Sequence, residues 1–446
     1  MKKILIANRG EIASRVIGAC REMGIETIAI YSDADRDLPY VNEADFSFRI
    51  GEPPVGKSYL QADAILELAV NEGADAIHPG YGFLSENSDF VRKAEEKGLV
   101  FIGPSSEIIE KMGDKVIARQ TMMDAGIPVV PGSEDGLAEI QAAVEKAESI
   151  GYPVMLKASG GGGGIGMQLC FGQAELEKHF GSVKARAKAY FGNEEVFLEK
   201  YISEARHIEV QVFGDAHGNI VHLYERECSV QRRNQKVLEE APSPSISEEA
   251  RQRICESAVR AARSVGYTNA GTVEFIMDEN EQFYFLEMNT RLQVEHRVTE
   301  MITGLDLVEW QILAARGEKL PLVQEEIQKN GHALEFRIYA EDPVKFMPSP
   351  GTLEVFTYPE TPGFIMDRTY SEGNQVTPFY DPLISKAVIS GEDRARALSK
   401  AEKILGEMRI EGVKSNLPLF ERMLQEEEFL SGNYTTSYLK KTKITG

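Results

Sequence analysis

The segment GTVEFIMDENEQFYFLEMNTRLQVEHRV, residues 271–298, gathers the groups best suited to chemistry. Its apolar runs, Thr272–Met277 and Gln282–Asn289, flank the polar turn DENE and read as a hairpin. With an even-residue loop, Met277 faces Gln282 and Glu274 faces Phe285. Glu274, Glu287 and Asn289 then project from one face, with the two carboxylates diagonal and roughly 7–8 Å apart. Carboxylates among Val, Phe, Ile, Tyr and Leu need a partner, because burying one unpaired is costly. Two carboxylates and an amide oxygen suit Mg²⁺ or Mn²⁺, hard ions that keep waters and bind substrate phosphates. If the chain stays extended, Arg291, Gln293 and Glu295 continue the same row. A cation, an amide and a carboxylate there could hold a small oxyanion beside a metal–phosphate centre and remove its proton. The competing reading is the solvent-facing polar side of an edge hairpin.

A second signal is KASGGGGGIGM, where Lys157 ends the apolar run YPVML and precedes five consecutive glycines, 160–164. Glycines in regular structure cost roughly 1 kcal/mol each relative to alanine, so the run belongs in a loop. Its backbone N–H groups could approach a phosphate closely. No Gly-Lys-Ser/Thr closes it, so it is not a Walker A loop. Lys115, in MGDKV, opens a helix and by itself reads as a surface lysine. ERECSVQRRNQKVLEEAP packs Arg226, Arg232, Arg233 and Lys236 into eleven residues. That local excess suggests an internal anion pocket, against the alternative of a salt-bridged face. Arg337, in HALEFRIYAEDP, sits on an apolar strand, where the structural alternative is an ion pair with Glu335 or Glu341.

The elements that must position these groups follow from periodicity. Lys3 to Ala7 is a short apolar strand, and Asn8-Arg9-Gly10 turns the chain. Ile12, Val16, Ala19, Cys20 and Met23 then recur at helical spacing up to Gly24. Further strands are expected at Thr27–Tyr31, Ala76–His78 and Val100–Gly103. Alternating strands and helices imply a parallel α/β sheet ending near Met112. No G-x-G-x-x-G follows the first strand, so no dinucleotide site is assigned. One helix is expected from Ser106 to Ala125, then a PVVPG linker. A compact glycine-containing stretch precedes strand-rich segments and a helix around Trp310. From His332 onward come short β-rich runs and a charged helix near Asp393 to Met408.

The chain has 446 residues, enough for about three domains. Its 49 basic against 70 acidic residues give a net charge of −21, which argues against non-specific nucleic-acid or anionic-membrane binding. No apolar run is long enough for a membrane span, and the start is too short in apolar residues for a signal peptide. Cys20, Cys170, Cys228 and Cys255 form no C-x-x-C pair and read as reduced, buried thiols of a cytoplasmic protein. The seven histidines show no paired metal spacing.

In their order along the chain, NRGEIA, IHPGYGFLSEN, MGDK, KASGGGGG, ERECSVQRRNQK, EMNTRLQVEH and FRIYAEDP resemble the biotin carboxylase family. The likeness runs from Lys3 to the SGNY near residue 434. It implies an α/β architecture of three parts. These are an N-terminal parallel-sheet domain at 1–112, an ATP-grasp domain at 113–330 with a mobile lid at about 131–203, and a C-terminal α+β domain at 331–446. It implies ATP- and bicarbonate-dependent carboxylation of biotin carried on a separate carrier protein, with two Mg²⁺ or Mn²⁺ ions. It also implies a homodimer, carboxyltransferase partners and a place in an acyl-CoA carboxylase, acetyl-CoA carboxylase of fatty acid synthesis being the expectation.

Residue by residue, the resemblance assigns Lys115, Lys157 and His207 to the nucleotide phosphates, with Gly163 and Gly164 in the lid. Glu199, Lys200, Tyr201 and Ile202 match the segment holding adenine, and Asn234 lies near the ribose. Glu274, Glu287 and Asn289 match the metal ligands. Lys236, Arg291, Gln293 and the Val294 backbone match the bicarbonate site. Glu295 matches the general base, Arg337 the group placed against the biotin ureido oxygen, and Tyr81 the biotin-side wall. Bicarbonate deprotonated by Glu295 would attack the γ-phosphate, and the carboxyphosphate formed would break down in a closed site beside biotin. Four positions depart from the family pattern. Ile165 and Ile365 stand where arginines are usual, Asn234 where several members have histidine, and Glu227 where aspartate is usual. Two alternatives remain: another ATP-grasp carboxylate–amine ligase, and a non-catalytic ATP-binding partner.

Overall fold

The computed structural model describes residues 1–133, 136–158, 166–191 and 194–441. Near the N-terminus, five parallel strands lie in the order Phe46–Gly51, Glu26–Ser32, Lys3–Ile6, Ala76–His78, Val100–Phe101. Ile4, Leu5, Ile6, Ile28, Ala29 and Ile30 are buried throughout, as a parallel sheet covered on both faces requires. The helix Gly10–Glu22 buries Ile12, Val16, Ala19 and Cys20, the expected stripe. The single helix expected over 106–125 is two. Ser106–Gly113 ends at Asp114, whose extended backbone and side chain cap a new helix, Lys115–Asp124. An aspartate caps a helix start better than it serves a helix interior, and this break sets Lys115 at the first helical position.

The described residues of the segment 137–200 form a small unit with its own core. Its antiparallel strands lie in the order Met167–Cys170, Val154–Ala158, Val196–Lys200, backed by helices Ile140–Ile150 and Gln173–Phe191. Val154, Leu156, Cys170, Val196 and Leu198 point into that core. By the alternation of a strand, Met155, Lys157, Met167, Leu169, Phe197 and Glu199 line the cleft on the opposite face. The glycine run, with Gly163, Gly164 and Ile165, lies outside the described residues.

An eight-stranded antiparallel sheet joins the rest of the chain. Its order is Phe283–Asn289, Asn269–Met277, Arg206–Gly214, Ile220–Arg232, Gln235–Ala241, His332–Tyr339, Leu383–Gly391, Phe364–Arg368. Ile208, Val210, Val212, Val273 and Phe275 pack with Ala250, Ile254, Ala258 and Ala261 of the helix Glu248–Ser264. The intervening His207, Glu209, Gln211, Thr272 and Glu274 therefore turn to the other face. Every expected strand in this region is present, but the hairpin register differs. Met277 pairs with Phe283 and Glu274 with Glu287, across an irregularity between Glu274 and Phe275 that leaves Leu286 unpaired. The turn takes one residue more than expected and the bulge adds another to the second strand, so Glu274 and Glu287 are directly opposite, not diagonal. The chain also does not stay extended after Asn289. It bends at Thr290–Arg291 and turns at Val294–Glu295 into the helix His296–Thr303.

Candidate active site

Between the parallel sheet, the small three-stranded unit and the large sheet lies a cavity of about 1050 Å³. Seventeen predicted residues line it: Tyr81, Lys115, Lys157, Glu199, Lys200, Tyr201, Ile202, His207, Asn234, Lys236, Glu274, Glu287, Asn289, Arg291, Gln293, Val294 and Arg337. Glu295 is fully buried just beneath Lys236 and Arg337.

At one end, Met155, Met167, Leu169, Phe197 and Ile276 make an apolar slot beside Lys157 and Glu199, suited to a flat aromatic base. Lys157 ion-pairs with the Glu199 carboxylate, and Arg119 stands 3.7 Å from its other oxygen. Lys200 donates its ammonium to the carbonyls of Gly151 at 2.7 Å and Tyr152 at 3.1 Å. Its side chain is thus tied to the backbone, and the N–H groups of Lys200 and Tyr201 are held by the carbonyls of Pro131 and Pro153 at 2.7 and 3.1 Å, which fixes this segment as one wall of the slot. Asn234 occupies a two-residue turn with Arg233, both at positive φ, at the cleft edge.

Cations and carboxylates alternate toward the middle. Gln231 Nε2 lies 2.8 Å from His207 Nδ1, so an N–H on Nε2 faces Glu274 at 2.9 Å. Lys236 Nζ touches three carboxylates, Glu209 at 2.5 Å, Glu295 at 2.7 Å and Glu274 at 3.1 Å. Burial would lower the pKa of Lys236, but its acidic neighbours hold it well above the usual lysine range. Glu274 is the mirror case: burial raises it, and Lys236 and His207 outweigh burial and bring it down. Glu287, directly opposite, is pushed up by burial and by the charge of Glu274, with Lys115 pulling the other way. Burial in turn lowers Lys115. Two facing carboxylates, one raised by the other, fit a divalent cation between them, and hard oxygen donors suit Mg²⁺ or Mn²⁺. Asn289 presents Nδ2 to Glu274 at 2.8 Å and Oδ1 to Arg291 at 3.0 Å. It would have to turn its amide to offer oxygen to a metal beside Glu274.

The oxyanion row survives the bend. Arg291 reaches Gln293 Oε1 and Asn289 Oδ1, both at 3.0 Å, and is held from behind by Glu86 at 2.8 Å. Gln293 Nε2 reaches Glu274 at 3.3 Å. Burial alone would raise Glu295, yet Lys236, Arg337 and Arg226 keep it well below the usual carboxylate range. Arg337 does not pair with Glu335 or Glu341. Its Nη2 contacts Glu239 at 2.5 Å and Glu295 at 2.8 Å, while Glu341 takes Arg232. The basic cluster is likewise split. Lys236 reaches the cavity; Arg226 is buried beneath it, bonded to Glu209, Gln211 and Thr299; Arg232 lies over Phe346.

On the far wall, Tyr81 donates its hydroxyl to Glu11, and Asn8 Nδ2 holds the carbonyls of Pro79 and Tyr81 at 2.7 and 2.8 Å. His78, lowered to about 4 by burial and therefore neutral, accepts the Gly80 N–H. Gly80 has φ +62°, and a Cβ there would lie 2.8 Å from Asn8 Nδ2, so only glycine fits this loop. Two departures find a local account. Glu227 accepts from Ser229, Ser243 and Ser245, so its extra methylene is spanned by hydroxyls. Ile365 packs against the cluster of Ala241, Val298, Ile302, Ala333 and Val388. The sequence reading missed Glu86, Glu209, Glu239 and the apolar slot. The alternation in HIEVQVF signals Glu209, and SEN, with Asn87 capping the helix Ser88–Glu96, signals Glu86.

Comparison with known proteins places this geometry. Residues 1–109 match the biotin carboxylase N-terminal domain, and 335–441 the biotin carboxylase C-terminal domain. Residues 114–323 match the ATP binding domain of the carbamoyl-phosphate synthase L chain. A biotin carboxylase of Halalkalibacterium halodurans is 54% identical over 98% of this chain and 97% of its own length. Biotin carboxylase 2 of Bacillus subtilis is 53% identical, over 98% of this chain and 99% of its own. The biotin carboxylase of Campylobacter jejuni in complex with β,γ-ATP superposes with a TM-score of 0.97 at 46% identity, covering 99% of both chains. The biotin carboxylase domain dimer of Hydrogenobacter thermophilus 2-oxoglutarate carboxylase, bound to MgADP and bicarbonate, gives 0.95 at 48% identity, over 99% of this chain and 97% of that one.

Proposed function

We infer how this chain, which belongs to the biotin carboxylase family, divides its reaction among its residues. It catalyses ATP-dependent carboxylation of biotin, the first half-reaction of biotin-dependent carboxylases, using ATP, Mg²⁺ and bicarbonate. The observation that carries the residue assignment is the buried Lys236–Glu295–Arg337 chain opening onto the row Arg291, Gln293, Val294. The adenine lies in the slot of Met155, Met167 and Leu169 against the backbone of 199–202, with Asn234 near the ribose. Lys115, Lys157 and His207 face the phosphates; Gly163 and Gly164, outside the described residues, are assigned to the nucleotide by the family resemblance alone. Glu274 and Glu287, with Asn289 after its amide turns, hold Mg²⁺ or Mn²⁺, two ions when ATP is bound. When bound, the metal would supply charge neutralisation for the transferring phosphoryl group. Lys236, Arg291, Gln293 and the Val294 N–H hold bicarbonate, Glu295 takes its proton, and Arg337 turns to the ureido oxygen of biotin against Tyr81.

Three finer readings extend this. The biotin is carried by a biotin carboxyl carrier protein, and carboxyltransferase subunits take the product, acetyl-CoA being the proposed acceptor. The chain works as a homodimer, like the Hydrogenobacter domain it resembles. Its four buried, unpaired cysteines suit the cytoplasm, and among the described residues no helix is long and apolar enough to cross a membrane. Segments 1–112, 113–330 and 331–446 are the proposed domains, with 131–203 as the lid.

Purified protein given Mg·ATP, bicarbonate and free biotin should release ADP and phosphate. A fully metal-loaded preparation without bicarbonate-dependent ADP release sinks this reading. Glu287→Gln provides a second check. Removing a charge that faces Glu274 should leave folding stability within about 1 kcal/mol, while the Mg²⁺ needed for half-maximal rate rises. A melting temperature that falls steeply with unchanged Mg²⁺ dependence would make Glu287 structural.

A further inference from the structure

Among the described residues one lysine is fully buried, and the reaction above leaves it unused. Lys386, on the strand Leu383–Gly391, is 0% exposed and lies outside the cavity. Its neighbours Ile384, Ala387, Val388 and Ile389 are core residues, so an apolar side chain would suit the position. A buried ammonium persists only where partners offset its desolvation. Lys386 Nζ donates to the Val294 carbonyl at 2.8 Å and lies 3.3 Å from Glu11 and 3.5 Å from Asp367. Arg297 holds Asp367 through two 2.9 Å bonds, which leaves Glu11 as the partner without another cation bonded to it. Glu335 and Arg297 also act on Lys386 electrostatically.

Two features connect this lysine to the chemistry. The Val294 carbonyl shares a rigid peptide plane with the N–H of Glu295. Holding that oxygen fixes the plane from which the proposed base projects, next to the Val294 N–H assigned to bicarbonate. On the other side, Glu11 accepts the hydroxyl of Tyr81, which lines the cavity where biotin is placed. Lys386 is also the cross-strand partner of Arg337, so one strand pair aims both cations.

We propose that Lys386 is a positioning residue that, with Glu11, locks the Val294–Glu295 peptide in its bicarbonate-binding conformation and ties that lock to Tyr81 on the biotin side. The proposal rests on the residue assignment above. A charge-assisted bond to a single carbonyl is worth more than a neutral one, and a small misplacement of a reacting group costs rate steeply.

The test uses the full chain, with bicarbonate-dependent ADP release by the unaltered protein measured first. Lys386→Met keeps the unbranched stem and removes the ammonium. It should raise the KM for bicarbonate about tenfold or more while the KM for Mg·ATP stays within about twofold, because the lid strands hold the nucleotide. Glu11→Gln with Lys386→Met removes both charges and avoids stranding either one. Its bicarbonate KM should be no worse than that of Lys386→Met alone, since coupled residues are non-additive. If the unaltered protein turns over but the bicarbonate KM of a folded variant stays put, or moves in step with the Mg·ATP KM, the positioning role is wrong. Failure of both variants to fold would make Lys386 a structural counter-ion and overturn it equally. Absence of bicarbonate-dependent turnover in the unaltered protein would instead sink the reaction itself, and the positioning role with it.

Discussion

Glu295→Gln should lower bicarbonate-dependent ATP cleavage and biotin carboxylation together, by about 10² to 10⁴, the range for losing a general base. The amide is isosteric, so the site keeps its shape but cannot accept the proton of bicarbonate. Resting geometry adds a condition. Lys236 at 2.7 Å and Arg337 at 2.8 Å both hold the carboxylate, and a carboxylate held so far below its usual range is a weak base. In the proposed reaction it becomes competent when bicarbonate draws Lys236 away, and more basic again when biotin draws Arg337 away, so proton removal proceeds with bicarbonate alone and quickens when biotin is bound. The same pairing makes a stability prediction. A carboxylate whose folded pKa is depressed adds stability that is present above its unfolded pKa, about 4.3, and is lost as pH falls through the lower folded value. The melting temperature of Glu295→Gln should therefore fall below that of the unaltered protein at neutral pH, and the gap should close only in acid. Mg·ATP binding should hardly change, because Glu295 does not line the nucleotide slot. Loss of Mg·ATP binding in step with activity would reassign Glu295 to the fold.

What could be read from the residues divides along physical lines. Periodicity marks the hairpin strands and the helices Gly10–Glu22 and Arg394–Glu407, because burial on one face imposes a period, but it left long helices such as Gln173–Phe191 and Glu248–Ser264 unplaced. The carboxylates Glu274 and Glu287 were legible because they interrupt apolar runs at a cost only a ligand or a cation offsets. Their register was not, since nothing in DENEQ sets a five-residue turn and nothing in FYFLEMN marks Leu286 as the bulged residue. The split helix was legible in hindsight: the aspartate of MGDK is a helix-capping residue. The basic cluster misled because a count of charges ignores which face each one takes. Arg226 and Lys236 both serve the site, but only Lys236 reaches it, and Arg226 acts from below through Glu209. Arg337 lines the cavity, yet its resting partners lie on other segments, Glu239 and Glu295. Partners brought together by tertiary pairing leave no local spacing to read. Lys386 is the extreme case, a lone lysine in LISKAVIS whose contacts with Val294 and Glu11 span most of the chain.

Arg337→Ser should separate the two halves of the reaction. Forming carboxyphosphate requires ATP, metal and bicarbonate; stabilising the enolate of biotin is a later demand on a different substrate. One charged donor aimed at a developing oxyanion contributes roughly 2.7–4 kcal/mol, or about 10² to 10³ in rate. Biotin carboxylation should fall by that factor, while bicarbonate-dependent ATP cleavage without biotin falls much less. The resting structure sharpens the second half of this expectation. Arg337 is one of the cations that depress Glu295, so its removal raises the basicity of Glu295 and partly offsets any disturbance of the base. It also strips a cation from Glu239, a fully buried carboxyl already pushed up to about 7 by burial. Glu239 can then take up a proton rather than remain an uncompensated charge, which limits the damage to folding. Arg337→Lys is the intermediate case: it restores a charge beside Glu239 and Glu295 but not the planar set of donors aimed at the ureido oxygen, so it should recover stability more than carboxylation. Both rates and the melting temperature are to be measured on one preparation. A parallel loss of the two activities that tracks the melting temperature, or no loss of either, would place Arg337 in the scaffold and leave the enolate to another donor.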